Sequence, residues 1–143
     1  MAETFDGTVE TAAVLAKLLP LCGGRWFDMV PDDAVLATNP DGTIKPFGVL
    51  LRSIPAASAR DRGLGGERAQ PHILLLSVVI ETAITVDPNT MISAVMGSLL
   101  DFVPSQQASG LKMAGSDMFP TVATATKPSR RVITIRFTTT INL

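Results

Sequence analysis

Reactive side chains are scarce in this sequence. Its 143 residues include one cysteine, Cys22, one histidine, His72, one tryptophan, Trp26, and no tyrosine, and charged residues make up only 17%. A single cysteine excludes an internal disulfide and fits a reducing compartment. Cys22 stands at a helix end before Gly23-Gly24, with no nearby base or second thiol, and reads as a small buried hydrophobe. Any mechanism that needs an imidazole must pass through His72, which opens a strand-like run after Pro71 and reads as structural or solvent-facing. Without tyrosine or interleaved aromatics, Arg52, Arg60, Arg62 and Arg68 have no platform on which bases would stack. Gly63-Leu64-Gly65-Gly66-Glu67-Arg68 lacks the Gly-Lys-Ser/Thr ending of a phosphate loop, and a proline and a strand follow it rather than a helix. Asp28, Asp32 and Asp33 flank Pro31 and read as a solvated corner rather than a cation site. The sequence therefore offers no catalytic, cofactor-binding or metal-ligating residue, which counts against a small enzyme.

Long apolar runs are also missing. Hydrophobic residues reach 46% and the mean hydropathy is +0.33, yet no stretch approaches the length of a membrane-spanning helix. The first residues, with Lys17 as the lone base before Pro20 and the acids Glu3, Asp6 and Glu10 ahead of it, do not read as a signal peptide. A chain of this length accommodates one core, so a single domain over residues 1–143 is expected. High apolarity with little charge points to apolar surface covered by other chains, and self-association is the simplest such arrangement.

The chain is organised around His72 to Pro104. HILLLSVVIETAITV carries the β-branched, near-continuous apolarity of a strand, with its first half expected to be buried on both faces. Its second half alternates, Val78, Ile80 and Thr82 against Val79, Glu81 and Ala83. Asp87-Pro88 supplies an N-cap and a first helical residue. Ile92, Val95, Met96, Leu99 and Val103, widened by Leu100 and Phe102, form one helical stripe that Pro104 ends.

Before this, Thr4–Leu19 reads as a helix with Val9, Ala12, Ala13, Ala16 and Leu19 on its apolar face and Asp6 and Glu10 in its early turns. Trp26-Phe27 with Met29-Val30, and Val35-Leu36, read as short strands or buried loop. Asn39-Pro40-Asp41-Gly42 is a turn, and Ile44–Ile54 a strand that Pro46 consigns to an edge or a bulge. Ser105–Gly115 reads as a soft connection and Phe119–Ala125 as a strand. Val132–Leu143 alternates, with Ile133, Ile135, Phe137, Thr139 and Ile141 facing one way, and the Lys127-Pro128-Ser129-Arg130 turn makes a hairpin of the last two strands. The predicted class is α+β: an antiparallel or mixed β-sheet with a long projecting hairpin, packed by two α-helices.

Residues 55–71 form the tip of that hairpin, long for a compact domain and with Leu64 as the one large apolar group. Charge is also segregated. Met1–Leu50 holds seven acids and three bases, while Leu51–Leu143 holds six acids and nine bases. Unlike patches suit head-to-tail packing of identical copies. Arg60, Arg62, Leu64 and Arg68 on the loop, Asp28, Asp32 and Asp33 in the acidic half, and Arg130 and Arg131 near the C-terminus are the candidate subunit-interface residues. A DNA-binding module using Lys127, Arg130, Arg131 and Arg136 is the rival reading.

The order of elements resembles the tail terminator, or tail completion, proteins of long-tailed bacteriophages. The resemblance runs through the first helix ending in Leu19-Pro20-Leu21, the strand Phe47–Ile54 and the arm with Gly63-Leu64-Gly65-Gly66. It continues in the strand Leu74–Ile84, the helix closing in Leu99-Leu100-Asp101-Phe102 and the terminal strand Val132–Ile141. It implies a non-enzymatic virion protein without cofactors, assembled in the host cytoplasm and placed at the tail neck away from any membrane. Copies of it would form a ring, typically a hexamer, that caps the tail tube protein and docks to the head-tail connector or stopper. DNA would pass through the lumen unread. Another neck or tube component is the alternative within the same virion.

Overall fold

The computed structural model describes residues 7–53, 71–114, 120–124 and 126–142. Among the described residues, two α-helices, α1 (Thr8–Leu18) and α2 (Pro88–Leu99), accompany six strands: β1 (Trp26–Phe27), β2 (Phe47–Ser53), β3 (Pro71–Ala83), β4 (Lys112–Met113), β5 (Thr121–Thr124) and β6 (Arg130–Asn142). The sheet order is β1-β2-β3-β6-β4, with β5 also on β6. Every pairing is antiparallel except β1 with β2. The α+β class with a mixed sheet and two helices is thus the observed one.

The β3–β6 ladder is the spine of the sheet, because all thirteen residues of each strand pair, from Pro71 with Asn142 to Ala83 with Arg130. Opposed residues share a face. Leu74, Leu76, Val78 and Ile80 of β3, with Phe137, Ile135, Ile133 and Ile141 of β6, are fully buried on the face that carries the helices. The alternation expected for Val132–Leu143 holds throughout the residues described. The other face is largely uncovered. Ile73 is 50% exposed and Leu75 half-buried, which corrects the expectation that the first half of β3 is buried on both sides: helices cover only one side, so β3 alternates from His72 to Thr82, and only at its end are successive residues, Thr82 and Ala83, both buried.

Helix α2 starts as predicted. The Asp87 carboxylate accepts from the Asn89 amide at 3.0 Å, and Pro88 occupies the first turn. It ends one turn earlier than the apolar spacing suggests. Asp101 adopts φ 64°, its amide donates to the Leu111 carbonyl at 3.0 Å and the Leu111 amide to the Phe102 carbonyl at 2.9 Å. That exchange draws the chain out of the helix. Val95 and Leu99 are buried and Ile92 and Phe102 pack beside them, but Leu100 and Val103 are exposed. The same exchange gives order to the stretch expected to be soft, which contains β4 and a bridge from Ala108 to Ile141.

Helix α1 presents a different face from the one predicted. Glu10, Val14 and Leu18 are buried and Leu15 packs on the core, whereas Val9 and Leu19 lie in solvent and Ala12 and Ala16 are exposed. The alanine stripe has little area to bury, so the stripe with the larger side chains wins. Glu10 is therefore enclosed rather than a solvent-facing acid of the first turn. Residues 4–6 of the predicted helix lie outside the described residues.

Pro46 stands just ahead of β2 rather than within it, its carbonyl accepting from Arg25 Nε at 2.9 Å. A second small cluster forms on the uncovered face, where Ile44, Phe47 and Val49 are buried with Phe27, Leu36 and Val79 around them. Phe27 and Phe47 meet edge to face at 5.8 Å. In the turn that leads there, Asp41 accepts from the Thr43 hydroxyl at 2.6 Å and the Thr43 amide at 3.0 Å, which holds its carboxyl below its ordinary value.

A candidate assembly surface

The segment between β1 and β2 projects apolar groups into solvent. Met29, Val30 and Val35 are 68%, 72% and 64% exposed, and the exposed carboxylates of Asp28, Asp32 and Asp33 alternate with them. Residues 33–35 form one 3-10 turn rather than a strand, and among the described residues no ladder or core takes up Met29, Val30 or Val35. Asp28 lines an open groove of about 380 Å³ with Thr11, Leu50, Leu51 and Arg52.

Asp33 is engaged within its own chain. It forms ion pairs with Lys127 and, at 2.9 Å, with Arg130, whose guanidinium also reaches Glu81 at 3.4 Å. The acidic projection is thereby tied to the β5–β6 turn and to β3. Arg131, one residue on, lies on the opposite sheet face and donates to the Val86 carbonyl at 3.0 Å. Of the nine interface candidates, the structure brings together Asp33 and Arg130, leaves Asp28 and Asp32 exposed, with Asp28 in the groove beside β2, and puts Arg131 elsewhere. Arg60, Arg62, Leu64 and Arg68 lie outside the described residues. Glu81 and Lys127 also belong to the cluster, although neither is among the interface candidates and Lys127 reads from sequence only as part of a turn and of the DNA-binding alternative. The legible signal was Glu81, the one charge inside the β3 run.

Cys22 is buried at a residue with φ 53°. Burial pushes its thiol up to about 11, against a smaller opposing effect of the Arg25 charge. Among the described residues, no group of three or more His, Cys, Asp or Glu side chains could hold a metal ion, and no helix is long and apolar enough to cross a membrane.

No protein-family model matches this chain, and no curated protein matches it in sequence. Its fold is similar to that of a chain in the virion of a native gene transfer agent particle, with a TM-score of 0.63 at 18% identity. The alignment covers 96% of this chain and 100% of that one. The likeness is one of fold, and it extends over the full length of the compared chain.

Proposed function

We propose that this chain is a non-enzymatic structural subunit of a phage-like virion and, within it, a tail terminator. Copies assemble into a ring, a hexamer in the arrangement the family resemblance implies. The ring caps the tail tube, stops its polymerisation and offers its other side to the head-tail connector or stopper, while DNA traverses the lumen without sequence readout. The observation that carries this reading is the end-to-end likeness of the fold to a chain of a gene transfer agent virion. The exposed apolar and acidic projection around Met29 and Val30 supports it, because such a surface suits burial against another subunit.

In this reading Arg60, Arg62 and Arg68 reach acids of a neighbouring copy, with Asp28 and Asp32 as their partners. Light scattering across a concentration series, with and without purified tail tubes, tests the proposal. A closed ring that blocks tube growth is the expected result. A chain that stays monomeric throughout, and leaves tube length unchanged, refutes it. Copolymerisation along the tube would instead mark a tube component. The DNA-binding alternative is less favoured, because Lys127, Arg130 and Arg131 each already make an ion pair or hydrogen bond inside the subunit.

A further inference from the structure

Among the described residues, two edge stretches of four residues each stand open at opposite ends of the sheet. On one side, β1 covers β2 only at Gly48 and Val49, so among the described residues nothing pairs with the outer edge from Leu50 to Ser53. The groove with Thr11 and Asp28 runs beside that edge. On the other side, β5 pairs with β6 through one edge, and all four of its residues, Thr121 to Thr124, are exposed. Protected edge strands carry charge, proline or a bulge. The sequence Thr-Val-Ala-Thr carries neither charge nor proline, while Leu50-Leu51-Arg52-Ser53 carries the single charge of Arg52.

Strand polarity decides how these edges can meet. β2 and β6 run one way, and β3 and β5 the other. Rotation about an axis that runs along the strands preserves their direction, so β5 of one copy meets β2 of the next antiparallel, the better-bonded geometry. Through the ladders, Thr121 stands level with Thr134, Val79 and Val49, whereas the open segment begins at Leu50. Strands that close into a ring tilt and stagger, and a shift of about four residues is of the kind such closure requires.

We infer that β5 of one copy adds to the open edge of β2, residues Leu50–Ser53, of the next copy, extending one sheet from subunit to subunit. This interface is head-to-tail, the kind that forms a ring when the rotation between copies closes and a filament when it does not. It rests on the ring reading above and names the surface through which the ring forms. The rival use of the same edge, β5 against β5 across a twofold axis, yields an isologous dimer instead.

Cross-linking separates the possibilities. Leu51 and Ala123 both belong to the uncovered sheet face, by their registers with Ser77 and Val132. Diagonal neighbours across a ladder are about 7–8 Å apart, within the span of a short bismaleimide, so a small error in register does not defeat the test. The native protein serves as the control because Cys22 is buried. L51C and A123C proteins, each checked for native circular dichroism, are treated separately and then mixed after subunit exchange, with tail tubes added in a parallel series. Covalent dimers in the mixture and in neither protein alone are expected. A123K, altered at an exposed position, should keep the thermal melt and shift the ring to monomers. Cross-linking of A123C alone overturns the head-to-tail pairing in favour of the twofold one. Rings of native mass that never cross-link, and that A123K leaves intact, overturn this interface while the ring stands. A chain monomeric under every condition removes the interface and the ring together.

Discussion

The ring of Trp26 occupies the space a side chain at position 48 would need: a Cβ on Gly48 would lie 2.3 Å from Trp26 Cζ3. The indole is held there from the other end, where its N–H donates to the Leu21 carbonyl at 3.1 Å. Since Trp26 pairs with Gly48 in the β1–β2 ladder, the glycine lets the indole cross the strand and join the main core. Gly48→Ala is expected to destabilise the protein by about 1–3 kcal/mol through overpacking. Urea unfolding followed by circular dichroism measures it. A Gly48→Ala, Trp26→Leu double variant should lose less than the sum of the single losses, because the clash disappears with the indole. Strict additivity would show that the close approach is not what makes glycine necessary.

A different contact predicts unequal losses within one ion cluster. Lys127 and Asp33 have side chains 53% and 48% exposed, whereas those of Arg130 and Glu81 are only 13% and 17% exposed. Lys127→Ala should therefore cost roughly 0.2–1 kcal/mol, as exposed pairs do. Arg130→Ala should cost about 1–3 kcal/mol, because it leaves the enclosed Glu81 carboxylate without its guanidinium. Glu81→Gln in the Arg130→Ala background should recover part of that loss. Thermal melts of the four proteins suffice, and equal losses for Lys127 and Arg130 would contradict the ranking.

How far the sequence reveals this fold depends on the period involved. In β6 the residues of one face alternate whatever the strand packs on, so Ile133, Ile135, Phe137, Thr139 and Ile141 declare their side directly. In α1 apolar residues occur around most of the helix, and Val9 and Leu19 compete with Val14 and Leu18 for the core. Only the position of the sheet decides between them. The end of α2 was hidden for a similar reason: the spacing of Val103 continues the stripe, but the Leu111 exchange that breaks the helix comes from ten residues further along. Of the candidate assembly surface, composition shows the apolarity and the charge imbalance. It does not show that Asp33 is already engaged by Arg130, a partner 97 positions away, nor that β1 is too short to cover β2.

Cys22 couples stability to alkaline pH. Its thiol is raised from the ordinary 9.0 to about 11 in the folded chain, by burial first and despite Arg25. Above pH 9 the unfolded chain loses this proton while the folded chain keeps it, so the unfolded state binds fewer protons and stability falls as pH rises. The loss should develop between about pH 9 and pH 11 and then level off. Comparison with Cys22→Ala across that window isolates it from the titration of lysines. The same burial predicts slow alkylation at pH 8, accelerating when urea unfolds the chain. Prompt labelling of the folded protein, or a pH slope identical in the variant, would contradict the assignment.

Charge reversal separates assembly from folding. Arg60, Arg62 and Arg68 come from the basic part of the chain, and Asp28 and Asp32 are solvent-exposed carboxylates of the acidic part. Asp33 is committed to Lys127 and Arg130, so rescue is sought at the other two. If the loop arginines reach a neighbouring copy, changing all three to Glu should dissociate the ring by setting like charges against each other, with circular dichroism and melting temperature unchanged. Mixing this protein with an Asp28→Arg, Asp32→Arg partner should restore assembly at low salt, since the pairing is then reversed in sign, and rising salt should weaken the rescue. Light scattering reads the mass in each case. A ring of native mass in the triple variant would mean that these arginines serve something other than the subunit contact, while a rescue indifferent to salt would mean that the contact is not electrostatic.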